Sequence, residues 1–367
     1  MNTTFTSESV CSGHPDKICD VISDSIVDAA LSQDPTSRVA VETLTTINKV
    51  VIAGEVRTSA KINYEKIARQ QIKRLGYTKD ILQFTYNSPI EVLIHEQSPE
   101  IAQGVDDEGA GDQGMMFGYA CDETVEYMPL PIIMAHRLAA AIDTARETTL
   151  RYLRPDGKTQ VTIVYNNGIP TGIGSLVLAV PHDENIKNTQ LRSDLYSDVV
   201  TPVLEHFGYS FNQKDIIING TGIWHIGGPT SDTGVTGRKI VVDGYGGYAR
   251  VGGGAFSGKD PTKVDRSGAY AARFIAKNIV AKGYAKKAEV RLAYVIGMKD
   301  PVMQEIETFG TATVSDTELQ KYVHSLLDTS VSGIIKGLDL QRPIYTQTAA
   351  YGHFGRDIFP WEQIITE

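Results

Sequence analysis

Apolar side chains recur along the chain at two spacings. Over residues 15–31, Ile18, Val21, Ile22, Ile26, Ala29 and Ala30 follow a 3.6-residue repeat with proline in the first turn, so the segment predicts a helix. Asp16, Asp20, Asp24 and Asp28 fall four apart on another side of it, which reads as a solvated face. Residues 50–56 read as a buried strand, and Tyr64, Ile67, Ala68, Ile72 and Leu75 form a second helical stripe closed by Gly76. Further helices are expected over 131–153, 189–207 and 261–282, the last stopped by Gly283, with strands over 215–219, 239–243 and 289–296. Residues 160–165 and 175–180 read as an antiparallel pair joined through the turn residues Asn166, Asn167 and Gly168. Ser315 and Glu318 make a capping box that opens a last long helix. Hairpins mixed with helices in this way predict α+β layers.

Length and composition narrow the class. A chain of 367 residues holds two or three domains at roughly 100–200 residues each. Hydrophobic content of 41% and charged content of 22% match ordinary globular usage, so the chain is expected to fold throughout. A formal net charge of -9 speaks against nucleic acid or an anionic membrane as partner, while leaving room for a local basic pocket. Cys11, Cys19 and Cys121 lack zinc-ligand spacing and read as inert thiols in a reducing compartment. No basic leader followed by an apolar stretch opens the sequence, and no run approaches about 18 apolar residues, so the expectation is a cytoplasmic protein without a membrane span.

Two glycine-rich stretches imitate familiar phosphate loops. Residues 109–114, GAGDQG, spell the dinucleotide fingerprint, but the preceding segment is polar and acidic instead of a strand. Asp106, Asp107, Glu108 and Asp112 would repel a pyrophosphate there unless a metal intervened. Residues 253–260, GGAFSGKD, follow the Walker pattern as far as Lys259 and then place Asp260 where Ser or Thr should hold magnesium. The glycines still permit close backbone approach to a phosphate, and Lys259 and Lys263 flank the start of a helix. A flexible turn with two solvated lysines is the plainer reading of the same residues.

A second helix start offers a similar design. In SGHPDK, residues 12–17, His14 stands at the start and Asp16 and Lys17 in the first turn, where free amides and the dipole favour an anion. Simple capping by His14 and Asp16 explains the same pattern. Arg238, Lys239 and Lys158 add cations near other turns, and Asp265 follows Lys263 within a turn. Singly, each is a surface charge. Gathered, they would offset a triphosphate, each close pair contributing about 4 kcal/mol at an effective dielectric near 20. Asp16 and Asp265 would then hold magnesium, a hard cation that takes carboxylate and phosphate oxygens.

Together GHPDK at 13–17, GAGDQG at 109–114 and GGGAFSGKD at 252–260 resemble the signatures of S-adenosylmethionine synthetases. FTSESV at 5–10, VTGRK at 235–239, KVDRS at 263–267 and AAYGHFGR at 349–356 extend the resemblance nearly end to end. It implies an α+β fold of three similar sheet-and-helix domains with approximate threefold symmetry, expected over 1–100, 109–226 and 228–367 and interleaved in sequence. It also implies a homodimer with shared active sites that pairs into a homotetramer. His14, Lys158, Arg238, Lys239, Lys259 and Lys263 match positions around the ATP phosphates, and Asp112, Asp156, Trp224, Asp232 and Ala255 complete the ATP set. Asp16 and Asp265 match magnesium ligands and Glu42 a potassium ligand; Glu55, Gln97, Asp232, Lys263 and Ile296 match the methionine pocket.

The sequence departs from the family pattern twice. GVDDE, residues 104–108, is shorter than the covering loop of many bacterial relatives, and residues 97–111 are expected to be mobile and to close over substrates. Ile223 and Trp224 replace the usual arginine and phenylalanine, leaving Trp224 to stack on adenine.

The implied transferase joins methionine sulfur to the ribose 5′ carbon of ATP and then cleaves tripolyphosphate to pyrophosphate and phosphate. Sulfur carries no proton to lose, so alignment and leaving-group stabilisation suffice, with His14, Lys259, Lys263 and Arg238 as the catalytic set. A P-loop-type phosphotransferase and a catalytically silent nucleotide-binding paralogue are the alternatives.

Overall fold

The computed structural model describes residues 2–96 and 109–366. Its strands are β1 (Asn2–Val10), β2 (Arg38–Thr46), β3 (Lys49–Arg57), β4 (Ile90–His95), β5 (Gly114–Cys121), β6 (Lys158–Asn166), β7 (Ile169–Ala179), β8 (Ile217–Ile218), β9 (Gly234–Val235), β10 (Lys287–Tyr294) and β11 (Met303–Glu307). The α-helices are α1 (Pro15–Leu31), α2 (Tyr64–Arg74), α3 (Leu130–Glu147), α4 (Asn188–Leu195), α5 (Thr201–His206), α6 (Ile240–Asp243), α7 (Val264–Ala281), α8 (Asp316–Leu326) and α9 (Val331–Gly337).

The strands form three sheets, ordered β1-β6-β7-β8, β11-β10-β5 and β4-β3-β2-β9. One long helix packs on each: α3 on β1 and β6, α7 on β5 and β10, and α1 on β2. The expected α+β class, three similar layers of sheet and helix, is therefore the one adopted. Strands cross between distant stretches of sequence, since β1 pairs antiparallel with β6 along its full nine residues and β5 pairs with β10.

Alternation fixes which face of each sheet a helix covers. Along β3, Val50, Ile52, Gly54 and Val56 are buried while their neighbours are half-exposed, as a sheet with one covered face requires. On β2, Val39, Val41, Thr43 and Thr45 turn inward, so Ala40, Glu42 and Leu44 occupy the open face. Fully buried Ile18, Ile22 and Ile26 anchor α1, each contributing about 1.5–3 kcal/mol. Where α7 crosses β5, a Cβ on Gly118 would lie 2.0 Å from the Ala272 carbonyl carbon, so glycine is what permits that approach.

The aspartate row of α1 is not solvated. Asp20 and Asp24 are 0% exposed and Asp16 is 2% exposed. Each caps backbone arriving from elsewhere: Asp16 Oδ1 accepts from Val235 N (3.0 Å), Asp20 Oδ1 from Gly237 N (2.8 Å) and Asp24 Oδ1 from Gly258 N (2.8 Å). Asp28 accepts from Tyr345 N and Thr346 N at 2.9 and 2.8 Å. Loops buried against a helix must find acceptors for their amides, and the four-residue spacing supplies one per turn.

Several boundaries also differ from expectation. The helix expected over 131–153 stops as α3 at Glu147, where Thr148 N and Leu150 N turn back onto the Thr144 and Ala145 carbonyls. The segment 189–207 is broken by a π-helical stretch, Tyr196–Val200, ahead of Pro202, which has no N–H and would crowd the carbonyl four residues earlier. The strand expected over 239–243 is instead the single-turn helix α6, because Asp243 turns inward to take a 2.5 Å hydrogen bond from Lys17. Over 215–219 only Ile217–Ile218 pair with β7. α7 starts at Val264 with Lys263 at its N-cap, three residues later than Pro261 predicts. Among the described residues no helix is long and apolar enough to cross a membrane.

Candidate active site

Three motif loops converge where α1 begins. Tyr77 is buried, and its hydroxyl donates to the Gly13 carbonyl at 2.6 Å and the Pro155 carbonyl at 3.2 Å. A Cβ on Gly228 would meet that hydroxyl at 2.2 Å, so the 227–228 segment also lies against it. Asp156, buried with φ of 114°, accepts from its own loop at Gly157 N and from Gly228 N, both at 2.7 Å. Burial raises its carboxyl to about 6 even though both amides pull it down. Lys158 follows directly at the first position of β6.

His14 is the N-cap of α1 and receives the Asp16 amide on Nδ1 at 3.2 Å. Burial first, and then Lys239, lower its pKa to about 3 against the pull of Asp16. The ring is therefore neutral near pH 7, with Nδ1 as acceptor and the proton assigned to Nε2, a hydrogen-bond donor without full charge. Lys239 Nζ donates to Asp16 Oδ2 at 2.6 Å, and Arg238 Nε stands 3.9 Å from Asp16 Oδ1. Burial raises the Asp16 carboxyl, but the hydrogen bonds from Lys239 and Val235 N outweigh it and hold the group below its usual value. Lys17, the remaining cation of the first motif, turns inward and donates to Asp20 and Asp243 at 2.8 and 2.5 Å.

The glycine-rich loop lies along the same edge of β2. Val41 N donates to the Gly258 carbonyl, Ala40 bridges to Lys259, and Asp260 N donates to the Val39 carbonyl. β9 occupies that edge at Leu44 and Thr45, four residues along and thus roughly 13 Å from Lys259. The loops touch where a Cβ on Gly237 would lie 2.3 Å from the Ala255 Cβ. Lys259 donates to Asp265 at 2.7 Å, and a Cβ on Gly254 would sit 2.0 Å from the Asp265 carboxyl carbon, so glycine leaves room for that carboxylate. Lys263 donates to Asp260 at 2.5 Å.

The remaining candidates flank these loops. Glu42 faces the open side of the sheet, the side Glu55 also occupies across the β2–β3 pairing. Burial and then Glu55 raise the Glu42 carboxyl, with Lys259 offsetting part of the effect. Ile296 is exposed just past β10, where Gly297 and Met298 pair with Ala110 of the second motif. Asp112 and Asp232 are exposed. Trp224 is half-buried, its indole N–H donating to the Ile226 carbonyl at 2.9 Å. Gln97, and with it residues 97–108 of the expected mobile segment, lies outside the described residues.

The donor sets fit the two cations that the resemblance implies. Among the described residues no three His, Cys, Asp or Glu side chains gather into a metal site. Asp16 and Asp265 are instead single carboxylates beside lysines, suited to a magnesium ion that takes most of its ligands from phosphate and water. Glu42 and Glu55 stand diagonally on one face, and burial and mutual repulsion disfavour the Glu42 charge, which a cation beside them would relieve.

Sequence reasoning missed Tyr77, which ties three of these loops together, and the internal roles of Asp20, Asp24 and Arg266. The one signal of the aspartates in the sequence is their helical spacing, which a solvated face would show equally.

Three family models match in succession: the S-adenosylmethionine synthetase N-terminal domain over residues 2–99, the central domain over 107–224 and the C-terminal domain over 226–363. A curated S-adenosylmethionine synthase from Crocosphaera subtropica (strain ATCC 51142 / BH68) is 50% identical over 393 residues, covering 98% of this chain and 94% of the relative. With all three domains matched along nearly its whole length, the chain belongs to the S-adenosylmethionine synthetase family.

Proposed function

We propose that the chain makes S-adenosylmethionine from ATP and L-methionine. The observation that carries this reading is the trio Lys239, Lys259 and Lys263, each beside a carboxylate on the signature loops that meet β2, together with neutral His14. Such cations suit a leaving polyphosphate, and the reaction asks for little else. The sulfur lone pair forms the bond to the ribose 5′ carbon while the C5′–O bond breaks, its electrons leaving with the tripolyphosphate. No proton moves in that step.

His14 donates a hydrogen bond to the departing oxygens, and the lysines with Lys158 stabilise the charge that develops on them. Asp16 and Asp265 would hold magnesium, which would neutralise charge on the phosphate oxygens, and Glu42 would hold potassium, which would balance the charge of the two glutamates. Arg238, with its side chain 56% exposed, is free to follow the polyphosphate and stabilise its hydrolysis to pyrophosphate and phosphate. Trp224 offers a face for adenine, alongside Asp112, Asp156, Asp232 and Ala255. Glu55, Gln97, Asp232, Lys263 and Ile296 receive methionine.

The open face of the β4-β3-β2-β9 sheet carries Glu42, Glu55 and the exposed Leu93 in adjoining registers. An uncovered sheet face bearing site residues fits a homodimer in which each active site draws on both subunits, with dimers pairing into tetramers. Three buried free cysteines fit the reducing cytoplasm.

Purified protein incubated with ATP, methionine, magnesium and potassium, with products separated chromatographically, tests the reading. Methionine-dependent S-adenosylmethionine supports it. Methionine-independent release of ADP and phosphate would favour a P-loop-type phosphotransferase, and nucleotide binding without turnover a silent paralogue.

A further inference from the structure

We propose that Asp260, the residue that spoils the Walker pattern, is a positioning residue that aims the Lys263 ammonium into the active site; this rests on the reading of Lys263 given above. Asp260 is 0% exposed. Its Oδ1 accepts from Thr262 N at 2.9 Å and Thr262 Oγ1 at 2.6 Å, and its Oδ2 from Val39 N at 2.7 Å and Lys263 Nζ at 2.5 Å. A carboxylate has about four lone-pair sites, and four donors fill them. Asp260 has nothing left for a metal or a substrate, unlike Asp265, whose side chain is 22% exposed.

The backbone reinforces this. Asp260 N donates to the Val39 carbonyl while Val39 N donates to the Asp260 carboxylate, clamping the residue to β2 from both sides. Lys263 N in turn donates to the Asp260 carbonyl. The lysine stem therefore leaves a fixed backbone, and its head rests against a fixed carboxylate. With its side chain 21% exposed, the ammonium keeps donors free on the outer side for a carboxylate or phosphate oxygen. Burial alone would favour a neutral Asp260, but Lys263 and the Thr262 donors hold the carboxyl below its ordinary value, so the anchor is an anion. Arg38, 4.0 Å from Oδ1, lies on the opposite oxygen and does not compete for the lysine.

A residue that acts through Lys263 should matter only while Lys263 is present. The experiment compares Asp260→Asn, Lys263→Met and the double variant, reading kcat and KM for methionine and ATP separately, with melting temperature as the index of folding. Thr262→Val serves as a control that removes one Asp260 donor without touching the lysine. The expected result is a loss of about tenfold or more in kcat/KM for methionine in Asp260→Asn, the scale of one charge-assisted hydrogen bond. In the Lys263→Met background the same substitution should cost less than about twofold, and Thr262→Val should stay near wild type. Equal losses from Asp260→Asn in both backgrounds, or none in either, would overturn the proposal. Should Asp260→Asn fail to fold, Asp260→Glu moves the carboxylate by one methylene and is read in the same cycle. A wild-type rate in Lys263→Met would sink the role of Lys263 and this proposal together, whereas only failure of the wild-type protein to form S-adenosylmethionine would sink the function.

Discussion

Asp24 and Arg266 meet as a two-bond ion pair in the core, Nη1 2.7 Å from Oδ1 and Nη2 3.0 Å from Oδ2, with both side chains 0% exposed. The pair joins α1 to α7 and also holds the glycine-rich loop, because Asp24 accepts from Gly258 N and Arg266 donates to the Lys259 carbonyl. Removing one partner strands a buried charge. Arg266→Leu is therefore expected to lower unfolding stability by about 3–5 kcal/mol, read by denaturant titration. A loss under about 1 kcal/mol would mean that the pair is not what holds the loop.

Lys259 stands beside Asp265 at the mouth of the same loop. If it stabilises the leaving tripolyphosphate, Lys259→Met should lower kcat by about tenfold or more while leaving methionine affinity within a few-fold of wild type. Steady-state kinetics over both substrates reads this directly. An unchanged kcat would remove Lys259 from the mechanism.

β9, which leads to Lys239, and the Lys259 bridge meet β2 four residues apart, about 13 Å along the strand in one chain. If each active site pairs the His14–Lys239 group with the Lys259–Asp265 group of a second subunit, two inactive variants should complement each other. Mixing and reassembling His14→Asn and Lys259→Met subunits should regenerate one intact site per mixed dimer, recovering activity that neither variant shows alone. No recovery in verified mixed dimers would place the whole site in one chain.

His136 is buried, with Nδ1 2.8 Å from Ser9 Oγ. Burial first, then Arg356 and Lys17, lower its pKa to about 3. Below its unfolded value of about 6.5 the unfolded chain takes up a proton that the native protein refuses, so stability falls as pH drops toward 3. His136→Asn lacks this loss, and the stability gap between wild type and variant should close by about 1.4 kcal/mol per pH unit below 6.5. Parallel stability curves from pH 7.5 to 5 would contradict a neutral buried ring.

Local periodicity made α1, α2, β3 and the β6–β7 hairpin legible from sequence, since each is set by residues within a turn or a strand of one another. The site loops were legible through their glycines and cations. The aspartate row was not, because helical spacing cannot distinguish water from backbone that arrives across 217 to 318 residues of sequence. Ile240, Val241 and Val242 favour a strand intrinsically, and the inward pull of Asp243 toward Lys17 wins over that preference. Asp260 could be read in advance only as a missing hydroxyl; its four donors come from β2 and the turn that leads into α7.

Displacement at the ribose 5′ carbon, with the whole tripolyphosphate as leaving group, leaves a product count that a single turnover reads. Excess enzyme is mixed with limiting ATP and saturating methionine, quenched, and every adenosine and phosphate product counted. Equal amounts of S-adenosylmethionine, pyrophosphate and phosphate are expected for each ATP consumed, with tripolyphosphate seen at early times and neither ADP nor AMP formed. ADP or AMP accumulating in place of S-adenosylmethionine would contradict that displacement.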